Sequence, residues 1–200
     1  MNYIVILIAI NVIIFVLPYI VDFGRGMITS NDAFLMMFWQ QSDKIKDGEY
    51  YRLITSQFLH GSAVHIFFNM YTLWQVKSYA MNRHLMLNIG RNNSQFAPLI
   101  FLFVYLASGI GGGLASVYTS NVPSVGASGA ILGIFGFMTA YAIRENDQNL
   151  LQGMLINILL LGVMGFLIPN INNTAHAGGF ITGLVLYFVL LFAFELVLKK

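Results

Sequence analysis

Long apolar segments alternate with short polar connections along the chain. They cover residues 3–21, 63–76 (extending to about 81), 96–117, 128–143, 150–168 and 175–198. A helix crosses the hydrocarbon core of a bilayer with about 20 apolar residues, and most of these segments reach or approach that length. The pattern therefore predicts an all-α fold: a polytopic membrane bundle of six transmembrane helices, in a single domain of residues 1–200.

The connection between the first two segments, at about 24–57, has a different character. It carries many of the charged residues, yet it also contains the apolar run Phe-Leu-Met-Met-Phe-Trp at 34–39. A polar segment with such a run is typical of a chain lying at the membrane surface. We expect a large external first loop there, in contact with the lipid bilayer.

Composition supports the membrane class. The chain is 58% hydrophobic and only 9% charged, whereas soluble domains carry about 25% charged residues. The net charge of +2 does not indicate nucleic-acid binding, and the absence of cysteine excludes disulfides and thiolate zinc sites. No His-Glu-x-x-His sequence is present, so a metal site is not predicted.

Basic residues indicate the topology. The connections after the second and fourth helices and the C-terminus contain Lys77, Arg83, Arg91, Arg144, Lys199 and Lys200. The connections after the third and fifth helices contain neither Lys nor Arg. Since short cytoplasmic loops are enriched in these residues, both termini are predicted to be cytoplasmic. The compact chain suggests a bacterial inner membrane.

Three reactive side chains share one depth in this topology. His65, Ser128 and His176 lie at the outer starts of the second, fourth and sixth helices. The fourth segment would span only about 24 Å of a core about 30 Å thick. If its inner end reaches the cytoplasmic interface, Ser128 lies below the outer surface. Irregular backbone at that depth must be buried in protein or line a wet cavity.

Ser128 is a candidate nucleophile. It lies in Gly-Ala-Ser-Gly-Ala at 126–130, where the flexible Gly126 and Gly129 allow a substrate chain to approach closely. The unpaired N–H groups of a helix start suit an oxyanion. The alternative is an ordinary helix N-cap serine, which is a common role.

His176 is the candidate general base, because ionisable residues within apolar spans are rare and usually functional. Gly179 and Gly183 follow on its helical face. Packing this face against the glycines of the fourth helix would bring His176 to Ser128. The alternative is a structural, hydrogen-bonded histidine. Transmembrane acids are absent near His176, so a Ser–His dyad is predicted and not a triad.

His65 and Asn69 are four residues apart and share a helical face. Both side chains can donate hydrogen bonds to an oxyanion, although hydrogen bonding between helices is an equally open alternative. His60, just before the second helix, is interpreted as a loop anchor or a second polar contact. His84 lies in a basic linker and is interpreted as a solvated residue.

These motifs together resemble the rhomboid family of intramembrane proteases. The resemblance rests on Gly-Ala-Ser-Gly-Ala at 126–130, His-Ile-Phe-Phe-Asn at 65–69 and Ala-His-Ala-Gly-Gly-Phe-Ile-Thr-Gly at 175–183. It covers nearly the whole chain. The pair Tyr51-Arg52 replaces the Trp-Arg common in the family, and 77–84 lacks the usual glycine-and-glutamate signature.

The resemblance implies a function that needs no cofactor. Ser128 would be the nucleophile and His176 the base, with the oxyanion hole formed by the Ser128 backbone N–H, His65 and Asn69. Substrates would be transmembrane segments of single-pass proteins, entering beside the fifth helix and the loop at 169–174. Two rival hypotheses are a non-proteolytic relative that binds membrane proteins and a small membrane transporter. Transporters often show internal repeats, and none is evident.

Overall fold

The computed structural model describes residues 3–24, 32–82, 97–167 and 171–198, and they form a bundle of helices. Numbered along the chain, the helices are α1 (Tyr3–Gly24), α2 (Asp32–Phe38), α3 (Ser42–Lys46), α4 (Arg52–Thr55), α5 (Ala63–Asn82), α6 (Ala97–Val117), α7 (Ser128–Arg144), α8 (Gln148–Leu167) and α9 (Asn173–Leu198). A 3-10 turn at Ser56–Phe58 follows α4. The predicted all-α class is confirmed.

Three of the long helices have the length and composition of membrane spans. By length and composition, α1, α6 and α9 each contain a segment apolar enough to cross a bilayer, while α7 and α8 are apolar but shorter. Large apolar side chains face outward, among them Ile13, Leu159 and Phe192, which are more than half exposed. Such a surface is unsuited to water and suited to lipid, so the protein is an integral membrane protein.

Two helices begin earlier than the apolar pattern predicts, and polar caps explain both. α9 begins at Asn173, because the backbone N–H of Ala175 donates to Asn172 Oδ1 at 3.0 Å. α8 begins at Gln148, because Leu150 N–H donates to Asp147 Oδ1 at 3.0 Å. The predicted linker at 77–93 is helical as far as Asn82, where α5 ends. The rest of that linker, with His84, and part of the predicted turn at 169–174 lie outside the described residues.

Helix α7 is the centre of the bundle. Every residue from Ala130 to Ala142 is buried, as expected of a helix that is apolar on all sides. Its main neighbours are α6 and α9, with α8 on a further side. The residue that opens this helix, Ser128, is therefore held by a rigid element that other helices enclose.

Glycines let α7 and α9 touch backbone to backbone. A Cβ atom on Gly179 would overlap the carbonyl oxygen of Gly129, and one on Gly183 would overlap that of Gly133. A third overlap would join Gly136 to the Phe180 carbonyl. Small residues at these positions allow the close approach that stabilises helix pairs in membranes, so the predicted glycine stripes do pack against each other.

Arg52 organises the first loop. Its guanidinium is buried and donates to the carbonyl oxygens of Met36 and Trp39, each at 3.0 Å. It also pairs with the Glu49 carboxylate at 2.6 Å. A planar guanidinium can satisfy several acceptors at once, which explains how one side chain ties α2 to α4.

Gly183→Ala should destabilise the bundle, because the added methyl group meets the Gly133 backbone, which cannot move aside as a side chain would. We expect a loss of about 1–3 kcal/mol, the usual cost of overpacking, measured by unfolding in detergent. The matched control is Gly162→Ala on α8, where a Cβ has nothing within 4 Å. Equal stability of the two variants would contradict the backbone contact.

The Arg52–Glu49 pair should make the loop sensitive to acid. Hydrogen bonds from the Tyr51 hydroxyl and then from Arg52 hold the pKa of Glu49 below its usual value. The stability that the ionised Glu49 contributes to the folded protein is therefore fully present above the pKa of glutamate in the unfolded chain. It is lost as the pH falls through the lower pKa of Glu49 in the folded protein. Glu49→Gln should lower the melting temperature at neutral pH, and the difference from wild type should shrink on acidification.

Asp47→Asn, which changes an exposed acid of the same loop, is the control for this experiment. A difference between Glu49→Gln and wild type that stayed constant with pH would refute the assignment.

Candidate active site

Ser128 and His176 are in direct contact. Ser128 Oγ lies 2.7 Å from His176 Nε2, and the two residues open α7 and nearly open α9. The N-cap position of α7 is Ala127, and no side chain caps this helix start. The N-cap alternative for the Ser128 hydroxyl is therefore not what the structure shows: the hydroxyl is directed to the imidazole.

A carboxylate does not accompany this pair. Within the described ranges, no Asp or Glu forms a hydrogen bond with the His176 ring, and no group of three His, Asp or Glu side chains is arranged to hold a metal ion. With its proton on Nδ1, the neutral imidazole presents Nε2 as an acceptor for the hydroxyl hydrogen. The pair can thus act as nucleophile and base.

Gly126 brings His65 next to the serine. A Cβ on Gly126 would lie 2.7 Å from His65 Nε2 and 3.8 Å from Ser128 Oγ. The residue also has φ +127°, a conformation that suits glycine. Its N–H donates to the Ser56 carbonyl at 2.9 Å, which ties this turn to the first loop.

Asn69 lies one turn below His65 on α5. Its side chain is buried, and its amide donates to the His65 carbonyl at 3.0 Å. Both residues line the same cavity as Ser128. The two side chains predicted as oxyanion donors thus line one cavity with Ser128, and Asn69 uses one N–H within its own helix.

The ring of His60 packs against the ring of His65. The two rings meet edge to face, with centroids 5.1 Å apart, and His60 is only 1% exposed. Burial, with a smaller effect of His65, lowers the pKa of His60 to about 3. The ring is therefore neutral at physiological pH and packs as an apolar anchor, in agreement with the loop-anchor interpretation.

A cavity of about 590 Å³ opens in front of these residues. Its polar lining includes the amides of Gln40 and Gln57, which lie near Gly113 and Gly109 respectively. Its apolar wall is formed by side chains of α5, α7 and α8: Val64, Phe68, Ile131 and Leu161. The cavity that Ser128 lines therefore offers both polar groups and an apolar surface.

Several polar residues of the site were not predicted: Gln40, Ser56, Gln57, Ser124 and Asn172. Two signals were available in the sequence. The glutamines are uncharged polar residues near apolar runs, and Asn172 precedes His176 by four residues. The pairing of such residues depends on the fold, so neither signal specifies a partner.

Comparisons with known proteins indicate a family for this chain. Residues 47–193 match the family model described as the Rhomboid domain. The chain is 35% identical over 163 residues to "Rhomboid protease GluP" of Bacillus subtilis, covering 80% of this chain and 30% of that protein. It is 36% identical over 155 residues to "RHOMBOID-like protein 5" of Arabidopsis thaliana, covering 74% and 46%.

A further relative shows that the family is not uniformly active. The chain is 36% identical over 149 residues to "Inactive RHOMBOID-like protein 8" of Arabidopsis thaliana, covering 72% of this chain and 39% of that protein. The chain thus spans between 30% and 46% of the length of these three curated relatives. With a family model that matches most of its length, the chain belongs to the rhomboid family.

Proposed function

We propose that this protein is an intramembrane serine endopeptidase that uses Ser128 as nucleophile and His176 as general base. The observation that carries the proposal is the 2.7 Å contact between Ser128 Oγ and His176 Nε2 at the wall of the cavity. A serine hydroxyl is a weak nucleophile without a base, and an adjacent imidazole supplies one.

Acylation follows from this arrangement. Ser128 Oγ attacks the carbonyl carbon of the scissile peptide bond while its proton passes to His176 Nε2. The developing oxyanion accepts hydrogen bonds from the Ser128 backbone N–H, His65 and Asn69, a role for which fixed donors are effective. The tetrahedral intermediate collapses, the C–N bond breaks, and the His176 proton passes to the leaving amine.

Deacylation uses the same groups in reverse. A water molecule in the cavity gives its proton to His176 Nε2 and attacks the acyl carbon. Collapse of the second intermediate returns the proton to Ser128 Oγ and releases the new carboxyl terminus. The polar lining of the cavity, which includes Gln40 and Gln57, is suited to hold that water.

The apolar wall of the cavity favours a membrane-embedded substrate. Phe68 of α5 and Leu161 of α8 lie at this wall, so a transmembrane segment of a single-pass protein can approach between these helices from the bilayer. The site would open to the outer side of a bacterial inner membrane, with both termini cytoplasmic. The basic residues of the inner connections support this orientation.

The rival is a non-proteolytic member of the family, a possibility raised by the relative named inactive. Such a protein has no need of an activated serine. The direct Ser128–His176 contact favours the protease. A transporter is favoured by no specific observation.

Ser128→Ala and His176→Ala should each abolish cleavage of a model transmembrane substrate by the purified protein in detergent. We expect at least about a thousandfold loss, because members of such a pair act as a unit. Thr139→Ala is the control, since Thr139 is on the same helix and bonds the Phe135 carbonyl. Retained cleavage in either site variant would overturn the dyad, and retained thermal stability would show that the variants are folded.

Gly126→Ala should impair the oxyanion hole. The new methyl group would displace the His65 ring, and alanine tolerates φ +127° poorly. We expect the cleavage rate to fall about a hundredfold, the usual cost of one lost oxyanion donor. Gly61→Ala is the control, since its Cβ would meet only Val125 Cγ2, at an ordinary 3.9 Å. Equal rates for the two variants would refute the assigned position of His65.

A further inference from the structure

A network of polar side chains joins the starts of α7 and α9 on the outer side. Its members are Gln40 of the first loop, Ser116 of α6, Ser124 of the turn before α7 and Asn172 before α9. Each lies on a different segment, so the network connects four parts of the chain. All but Ser116, which is 1% exposed, line the cavity.

Asn172 holds the segment that carries His176. Its carbonyl accepts from the His176 backbone N–H at 3.2 Å, and its side-chain Oδ1 accepts from the Ala175 N–H at 3.0 Å. The second bond satisfies a donor that a helix start otherwise leaves unpaired. The Asn172 side chain therefore caps the first turn of α9, the turn that carries His176.

The amide of Asn172 reaches the segment that carries Ser128. Its Nδ2 donates to the hydroxyl oxygens of Ser116 and, at 3.5 Å, of Ser124. Ser124 precedes the nucleophile by four residues, and its hydroxyl also contacts Gln40 Oε1 at 3.2 Å.

Gln40 completes the connection. It forms two backbone hydrogen bonds with Ser124, of 2.9 and 3.0 Å, in an antiparallel bridge. Its side-chain amide donates to the Gly113 carbonyl on α6 at 3.0 Å. Through Gln40, Ser124 is thereby bonded to the first loop and connected to α6. The hydroxyl to which Asn172 donates is therefore held in place.

We propose that Asn172 is a positioning residue, which sets the distance between His176 Nε2 and Ser128 Oγ by bonding the start of α9 to Ser124. This inference rests on the proposed protease function. Here no carboxylate of the described residues orients the imidazole, so the ring direction depends on the backbone that carries it. A displacement of 1 Å is enough to reduce a rate by about a hundredfold.

Asn172→Ala removes the cap and the bonds to both serines. We expect the second-order rate constant for labelling of Ser128 by a fluorophosphonate probe, and kcat for cleavage, to fall about ten- to a hundredfold. KM should change less than kcat, because the bonds that this variant loses join Asn172 to Ser116, Ser124 and the Ala175 N–H. Asn172→Asp retains the capping oxygen but has no N–H to donate to the Ser124 hydroxyl, so it should restore the cap without restoring the labelling rate constant.

Asn157→Ala is the matched control. Asn157 is a half-buried asparagine of α8 whose amide donates to the Gly153 carbonyl of its own helix at 2.7 Å. A purely structural defect lowers the fraction of protein that can be labelled and the melting temperature, but leaves the labelling rate constant of the folded fraction unchanged. Positioning is indicated only if that rate constant falls for Asn172→Ala and not for Asn157→Ala.

A double-mutant cycle with Ser124→Ala tests the connection itself. If Asn172 acts through Ser124, the double variant should be no slower than the slower single variant, within about threefold. Multiplied losses would mean independent effects and would overturn the proposed link. A labelling rate constant of Asn172→Ala equal to wild type would overturn the positioning role.

The wild type in the same assays separates this inference from the proposed function. Wild-type protein that neither cleaves nor is labelled would overturn both. Active wild type with an unaffected Asn172→Ala would overturn the positioning role alone.

Discussion

Helices α7 and α9 touch along their glycines, backbone against backbone, and the site is arranged around that contact. Gly179 lies against the carbonyl of Gly129, and Gly183 lies against that of Gly133, so neither position has room for even one methyl group. In a bilayer the hydrophobic effect does not drive helices together, so close van der Waals contact of this kind has to stabilise the pair. The same contact brings Ser128 and His176 to 2.7 Å.

Polar interactions at the starts of α7 and α9 determine the side-chain directions that the glycine contact leaves open. The helix contact sets the spacing of the two axes, while the direction of each side chain depends on the turns at the helix starts. Gly126 allows the turn before α7 to pass close to His65, and Asn172 holds the first turn of α9. The first loop joins both, through the Ser56 carbonyl and the Gln40 bridge to Ser124. The first loop, which hydropathy alone marks only as a polar connection, is thus part of the site.

The sequence predicted the long helices and the contact between α7 and α9, but it did not predict the polar residues that pair around the site. Six apolar segments predicted the six long helices, and the glycine spacing predicted which faces of α7 and α9 meet. Hydropathy marks apolar residues only, so the polar caps Asn172 and Asp147, which extend α9 and α8, were missed. The pairing of Gln40 with Ser124, 84 residues apart, follows from tertiary packing and leaves no local pattern.

Ser128 is synthesised before His176, its partner in the site. Ser128 and His176 are separated by 48 positions, and a chain emerges from the ribosome N-terminal part first. The serine therefore reaches the membrane before its histidine exists, and the reactive pair forms only once α9 has docked. On the proposed function, a nascent chain would therefore carry an unactivated hydroxyl until α9 has docked.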